Sequence, residues 1–374
     1  MNDSRDDVPG YRTIRVSVPD GPIAELADAE AWQARGDYPE LLFGGPVFGV
    51  AHEREQGGWE LHPYLSELAP QDARDNMGGH FRKLAQELEL SGDQPGRQEC
   101  MQVAERIGWE VIDEATVLGT RYRVVRADMF IRSGLAGPER PRPSDPDPGE
   151  PGRASKIPDP AAGFVIDPVV TTGMSGAIVK LELLDAVYPK GAVPPEVRDD
   201  SLRAARTHPG GVLLPPAFTT AELVSGHWKP AQTGTQATPQ QARDSLAMYL
   251  RVMAPWKLNL GTKQRAGYAA AADQLDAEHL NDVEVSGRRF RVVRVERLMR
   301  IGPDGPEGPR PSDPDPQPPV MAQAQQLRDE GVLTGDDDDT PVELDDDSQR
   351  LAQLFHAEEE RRKGAQEARH DGQA

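Results

Sequence analysis

An α+β fold built from two tandem copies of a β-β-α-α-β-β unit is what the sequence predicts, and three observations predict it. The string GPERPRPSDPDP at 137–148 returns as GPEGPRPSDPDP at 305–316, with eleven of twelve letters kept across 168 residues. Ahead of each lies a strand-like run, RYRVVRADMFIR (121–132) and RFRVVRVERLMR (289–300), again 168 apart. Further upstream PQDARD (70–75) matches PQQARD (239–244), and GGPVFGVAHEREQGGWE (44–60) resembles LPPAFTTAELVSGHWKP (214–230). The blocks keep one order in both halves, which is the signature of an internal repeat.

Each copy opens with a hairpin. VFGVAHER runs to a turn at QGG (56–58), and Trp59 leads the return strand; the second copy turns at Ser225-Gly226 before His227 and Trp228. An amphipathic helix follows, with Ala73, Met77, Phe81 and Leu84 at helical spacing, mirrored by Ala242, Leu246, Leu250 and Met253. Thr238 as N-cap, Pro239 in the first turn and Gln241 three residues after the cap mark its second start. Shorter helices are expected over 97–108 and 264–275, then a second hairpin over 114–126 or 282–294 that turns at Gly119 or Gly287. The helices are expected to cover one sheet face, in a pseudo-twofold arrangement of the copies.

The proline string then leaves the last strand. Five prolines in twelve positions forbid a helix and remove ladder donors. Extended at about 3.1 Å per residue, it would reach ~37 Å, a domain's width. The leading reading is a structural strap across its own copy, with Arg142, Asp145, Asp147, Arg310, Asp313 and Asp315 pairing with the body. A calcium loop fits poorly, because proline interrupts the aspartate spacing and no turn glycine follows. A polyproline ligand for a partner domain and a rim around a site are the other readings. The domain plan is a disordered N-terminus (1–10), a first unit (11–150), a second unit (151–319) and an acidic disordered tail (320–374) with a nascent short helix over 348–363.

Composition bounds the partners. With 62 acidic against 42 basic side chains, the net charge of −20 disfavours nucleic acid and anionic membrane. The most apolar stretch (163–184) is interrupted by Asp167, Pro168 and Lys180, so no membrane span is expected. A lone cysteine, Cys100, excludes an internal disulfide framework, and with no apolar leader the chain reads as cytoplasmic.

No catalytic residue, metal ligand or cofactor motif emerges. HEREQ (52–56) is not the HExxH zinc pattern, and none of the eight histidines recurs at a matched position. His80 reads as a core or boundary residue, His227 as a surface one and Cys100 as a buried thiol. In TTGMSGAIVK (171–180), Ser175 lacks the GxSxG frame of a nucleophile elbow and is expected to begin a strand. The polar residues the copies share are mostly arginines. One hypothesis makes Arg74, Arg123 and Arg126, with Arg243, Arg291 and Arg294, an anion pocket in each copy; the other pairs them with the strap aspartates and helix acids. A non-enzymatic interaction or regulatory protein, engaging a protein partner or itself, is the preferred function, with an anion-binding protein or enzyme as the alternative.

The PQDARD/PQQARD helix start, the GTRYRVVR hairpin and the trailing RPSDPDP resemble an uncharacterised actinobacterial family, a domain of unknown function found mainly in streptomycetes. The resemblance spans about residues 10–320. It implies a cytoplasmic protein without assigned activity and supplies no catalytic residues.

Overall fold

The computed structural model describes residues 9–63, 65–152, 159–230, 234–331 and 345–371. In chain order the elements are α1 (Pro22–Asp37), β1 (Glu40–Glu53), β2 (Trp59–Leu61), α2 (Pro70–Ser91), α3 (Gln94–Trp109), β3 (Glu114–Val117), β4 (Thr120–Gly134) and β5 (Gly137–Pro138). Then come β6 (Val165–Ile166), α4 (Met174–Asp185), α5 (Pro195–Thr207), β7 (Gly210–Leu213), β8 (Ala217–Val224), β9 (His227–Pro230) and α6 (Pro239–Met248). A π-helical turn (Tyr249–Met253) leads into α7 (Ala254–Lys257), followed by α8 (Thr262–Glu278), β10 (Asp282–Val285), β11 (Arg288–Gly302), β12 (Gly305–Pro306), α9 (Val320–Asp329) and α10 (Asp346–Asp371). The chain is α+β with antiparallel strand pairing, as expected.

Two compact units emerge. Unit A comprises Met1–Arg132, Asp159–Pro216 and Val295–Asp336; unit B comprises Ser133–Pro158, Ala217–Arg294 and Asp337–Ala374. The boundaries fall inside β4 and β11. In unit A the strand order is β6-β2-β1-β4-β11, with β3 beside β4 and both β7 and β12 beside β11. Its main core gathers Phe48 and Val50 of β1, Met77 and Phe81 of α2, Cys100, Ala104 and Ile107 of α3, and Val117, Tyr122 and Val124 of β3–β4. A second cluster joins Phe130 and Leu298 to Val179 and Leu183 of α4. In unit B the order is β11-β8-β9, with β10 on β11. Leu246, Leu250, Tyr268, Ala272, Leu275, Val283 and Phe290 form its core.

Local chemistry explains most boundaries. The hairpins turn on left-handed pairs: Leu118 (φ 52) with Gly119 (φ 77), Ser225 (51) with Gly226 (79), and Ser286 (51) with Gly287 (74). Two consecutive positive-φ residues match the right-handed twist of the flanking strands. Thr238 caps α6 by accepting from the Gln241 backbone N at 3.2 Å, and the Gln241 side chain accepts from the Ala237 N at 3.0 Å.

Four expectations are corrected. Ser175 begins a helix: Asp28 Oδ1 accepts from its backbone N at 2.9 Å, a cap supplied by a distant residue. The apolar run looked strand-like, yet its Leu, Lys and Glu are good helix formers once the end is capped. The helix starting at Pro239 does not carry Met253 inward; the π turn adds a residue, and Val252 and Ala254 are buried instead. Three helices absent from the expected plan, α1, α4 and α5, precede β1 and β7. The tail carries a helix at Val320–Asp329, where disorder was expected, and one at Asp346–Asp371 that is longer than the short nascent helix expected over 348–363. There Met321 packs on Gly108 so closely that a Cβ at 108 would lie 2.7 Å from Met321 Cγ. Arg350 Nη2 donates to the Trp256 carbonyl at 2.8 Å, and Glu358 is 4% exposed. Residues 1–8 of the expected N-terminal segment and the Asp336–Asp339 run lie outside the described residues.

Replacing Thr238 with Ala removes that cap and is expected to cost about 1 kcal/mol in urea unfolding, with no change in the slope.

Candidate functional site

The residues singled out by the sequence gather in two matching sets, one in each unit. In unit A, β4 and the start of α2 present three arginines to residues 304–315. Arg123 donates from Nη1 to the carbonyls of Asp304 and Pro306, both at 3.0 Å, and from Nε to Glu114 Oε2 at 2.8 Å. Arg126 is 3% exposed and donates from Nε to both oxygens of Asp313 at 3.1 and 3.0 Å, and from Nη1 to Asp128 Oδ1 at 2.8 Å. Arg74 donates from Nε to Asp113 Oδ1 at 2.7 Å and from Nη1 to Asp315 Oδ2 at 2.5 Å. Asp315 also accepts from the Gln71 backbone N at 3.0 Å, so a carboxylate from residue 315 caps α2, whose own N-cap Ala69 cannot.

Unit B repeats this with residues 136–147. Arg291 donates from Nη1 to the carbonyls of Ala136 (2.8 Å) and Pro138 (3.0 Å), and from Nε to Asp282 Oδ1 at 2.9 Å. Arg294 donates from Nε to both oxygens of Asp145 at 3.0 Å. Arg243 donates to Asn281 Oδ1 at 2.9 Å and to Asp147, whose Oδ1 accepts from the Gln240 backbone N at 2.7 Å.

The strap reading therefore changes in two ways. String 305–316 lies with the arginines of the first stretch and string 137–148 with those of the second, so the aspartates of each meet the arginines of the other stretch. Nor is either a straight 37 Å run. Arg310 and Asp313 close a turn, with the Asp313 N donating to the Arg310 carbonyl at 3.0 Å and Asp313 Oδ2 accepting from the Arg310 N at 2.7 Å. Arg142 and Asp145 do the same at 3.0 and 2.8 Å. Proline in RPSD presets the second residue of such a turn. Arg310 and Arg142 grip the strings from within, through Glu307 Oε1 at 2.7 Å and Glu139 Oε1 at 2.6 Å.

Each string enters beneath a tryptophan. Gly305 (φ +106) and Gly137 (φ +98) sit so close to Trp59 and Trp228 that a Cβ would lie 2.4 and 2.2 Å from the indole Nε1. The faces of those rings carry Arg123 at 5.0 Å and Arg291 at 4.8 Å.

Electrostatics follow from burial. Burial alone would raise the Asp128 carboxyl, but Arg126 and Arg310 outweigh it and hold it below the usual carboxylate range. Arg297, deep in unit A, is pushed down to about 10 by burial; it spends its donors on the carbonyls of Pro215 (2.7 and 3.0 Å) and Leu65 (3.1 Å).

Unit A holds one cluster that sequence reasoning missed. His52 Nδ1 lies 3.1 Å from His62 Nε2, the His62 and His80 rings are edge-on with centroids 4.5 Å apart, and Tyr122 packs within 5.9 Å of all three. Burial, then the neighbouring His80 and His52, lower His62 to about 3. The signal was available: His52 and His62 flank one hairpin with the same side-chain parity, and β1–β2 pairing sets His52 opposite Glu60. Among the described residues no three His, Cys, Asp or Glu side chains converge on a point that would hold a metal ion. Cys100 is fully buried and free, and no described helix is long and apolar enough to cross a membrane.

An antiparallel α+β protein whose central arginines are neutralised by proline-bound aspartates is the class these features define. The chain belongs to a family of unknown function, DUF5954, whose model matches residues 21–316, from the helix before β1 to the residue after Asp315. No curated protein and no solved structure matches it.

Two outcomes are expected. Asp313→Asn strips a buried guanidinium of the carboxylate that accepts from its Nε and costs about 3–5 kcal/mol, whereas Asp315→Asn, at a partly open pair, costs about 1 kcal/mol; urea titration of both variants measures the difference. For His62 the folded value lies below the unfolded one. Its stabilisation is thus complete above about pH 6.5 and is lost as pH falls towards 3. Between pH 7.5 and 5 this amounts to at most about 2 kcal/mol. A His62→Phe variant should show a drop in unfolding free energy smaller by that amount; equal drops would assign the loss elsewhere.

Proposed function

We propose that this chain is a non-enzymatic cytoplasmic interaction or regulatory protein, built from two copies of one α+β unit whose strings are exchanged. The observation that carries this reading is the fate of the six shared arginines. Each spends its guanidinium on carboxylates, carbonyls or amides of the chain itself. These six arginines therefore build a scaffold.

Geometry at fixed offsets supports the duplication. Arg74, Gln71, Asp113 and Asp315 are arranged like Arg243, Gln240, Asn281 and Asp147. The helices before β1 and β7 extend the match: Ala34 and Ala204, 170 residues apart, are both buried, and their carbonyls accept from the Tyr38 and His208 N at 2.8 Å each. The acidic exterior, at −20 overall, suits a protein partner or a second copy better than nucleic acid. The family match ends where the second string ends, so α9 and α10 are additions that tune solubility or contacts.

Native mass spectrometry of the tagged protein, purified gently from its own cells, tests this. A stoichiometric protein partner or a homodimer is the expected result. A metabolite turned over by the purified chain, with turnover lost in Arg123→Ala/Arg291→Ala at unchanged thermal stability, would overturn it.

A further inference from the structure

Unit A has a cleft of about 470 Å³ whose chemistry the scaffold reading does not use. Trp32 and Arg35, from the last two turns of α1, form one wall; Pro39, just before β1, and Leu41, at its start, form another. Arg132 of β4 and Glu182 of α4 complete the lining. The volume lies within the range of small-molecule sites.

The charges do not balance. Glu182 takes Arg35 Nε on Oε1 at 2.5 Å and Arg132 Nη2 on Oε2. Burial would raise its carboxyl, but the two guanidinium groups outweigh that, so Glu182 stays ionised. Two cations therefore share one anion. Arg132 has a side chain only 2% exposed, and its Nε is buried without a hydrogen-bond partner. A buried donor left unmet is costly, and an added acceptor nearby is favoured. Beside this positive floor, Trp32 is 56% exposed and Leu41 is half-buried, with the Arg35 guanidinium 5.9 Å from the indole centroid. A flat apolar surface next to unbalanced guanidinium groups suits an amphipathic anion.

We propose that this cleft is a binding site for a small monoanion, a carboxylate carried on a flat apolar body. The carboxylate meets Arg132 and Arg35 while the body lies along Trp32, Pro39 and Leu41. Glu182 sets selectivity: it holds both guanidinium groups in place and, being negative, disfavours polyanions less well matched to a single excess charge. The site is independent of the string-bound arginines, so it stands or falls separately from the scaffold function.

Calorimetric titration of the full chain with benzoate tests the proposal, with benzyl alcohol as its neutral counterpart. Benzoate, a fragment of the inferred ligand, is expected to bind with a Kd on the order of 1 mM, and benzyl alcohol at least tenfold more weakly. Arg35→Gln changes a half-exposed residue and should weaken benzoate at least fivefold while the chain melts cooperatively as before; Trp32→Ala should do the same. Glu182→Gln removes the competing charge and should tighten benzoate. No heat with benzoate, equal binding of the alcohol, or benzoate affinity unchanged in both Arg35→Gln and Trp32→Ala would overturn the site, whether or not Glu182→Gln folds.

Discussion

A guanidinium group taken out of water is stabilised by anions and carbonyls set along its N–H directions, and this constraint organises the molecule. Arg123, Arg126, Arg291 and Arg294 lie on long strands whose other residues are almost all buried. Removing such a charge from water costs several kcal/mol, recovered only when the partners are fixed and geometrically matched. The proline strings are those partners. They bring carboxylates into the interior on a backbone that has little freedom to lose, because proline fixes φ and restricts the residue before it. A flexible acidic loop of the same composition would supply the charge at a larger entropic cost.

The spacing of the aspartates completes the argument. In an extended proline-rich chain with about three residues per turn, side chains two apart point in different directions. Asp313 can therefore face Arg126 on β4 while Asp315 faces Arg74 and the amide of Gln71 at the start of α2. One short string thus ties a strand to a helix terminus. Asp145 and Asp147 do the same for Arg294, Arg243 and Gln240. The two carboxylates of each string thus meet different arginines.

Much of the fold was legible because its rules are local. Hairpin turns at Gly119, Gly226 and Gly287, the Thr238 cap and the helical faces carrying Phe81 and Leu246 follow from short-range chemistry, and the pairing of arginines with string aspartates followed from matched charge. What was not legible depended on distance along the chain. Nothing near Ser175 announces that Asp28, 147 residues away, caps its helix. Nothing in the two strings says which set of arginines each one serves, because both strings and both sets carry the same residues. The cleft was hidden likewise: Arg35, Arg132 and Glu182 have no common spacing, and only the packing of α1 and α4 assembles them.

The exchange of strings has a physical consequence for how such a chain can evolve. Either stretch alone would carry three buried arginines and, nearby in sequence, a string whose first residues fold back on the last strand, β5 on β4 and β12 on β11. In unit A the Arg126 backbone N donates to the Glu307 carbonyl at 2.9 Å, and in unit B the Arg294 N donates to the Glu139 carbonyl at 2.9 Å. Each string is thus paired both with the strand it leaves, where the Glu307 N donates to the Arg300 carbonyl at 2.9 Å, and with the strand opposite in sequence. That contact needs a partner string, which either a second molecule or a second copy in the same chain can supply. Holding both stretches in one chain makes the exchange intramolecular, and the effective concentration of the string rises accordingly. Pro138 and Glu139 of one string and Pro306 and Glu307 of the other are buried alike, and the aspartates of both meet equivalent arginines, so equivalent contacts account for the near-identity of the two strings.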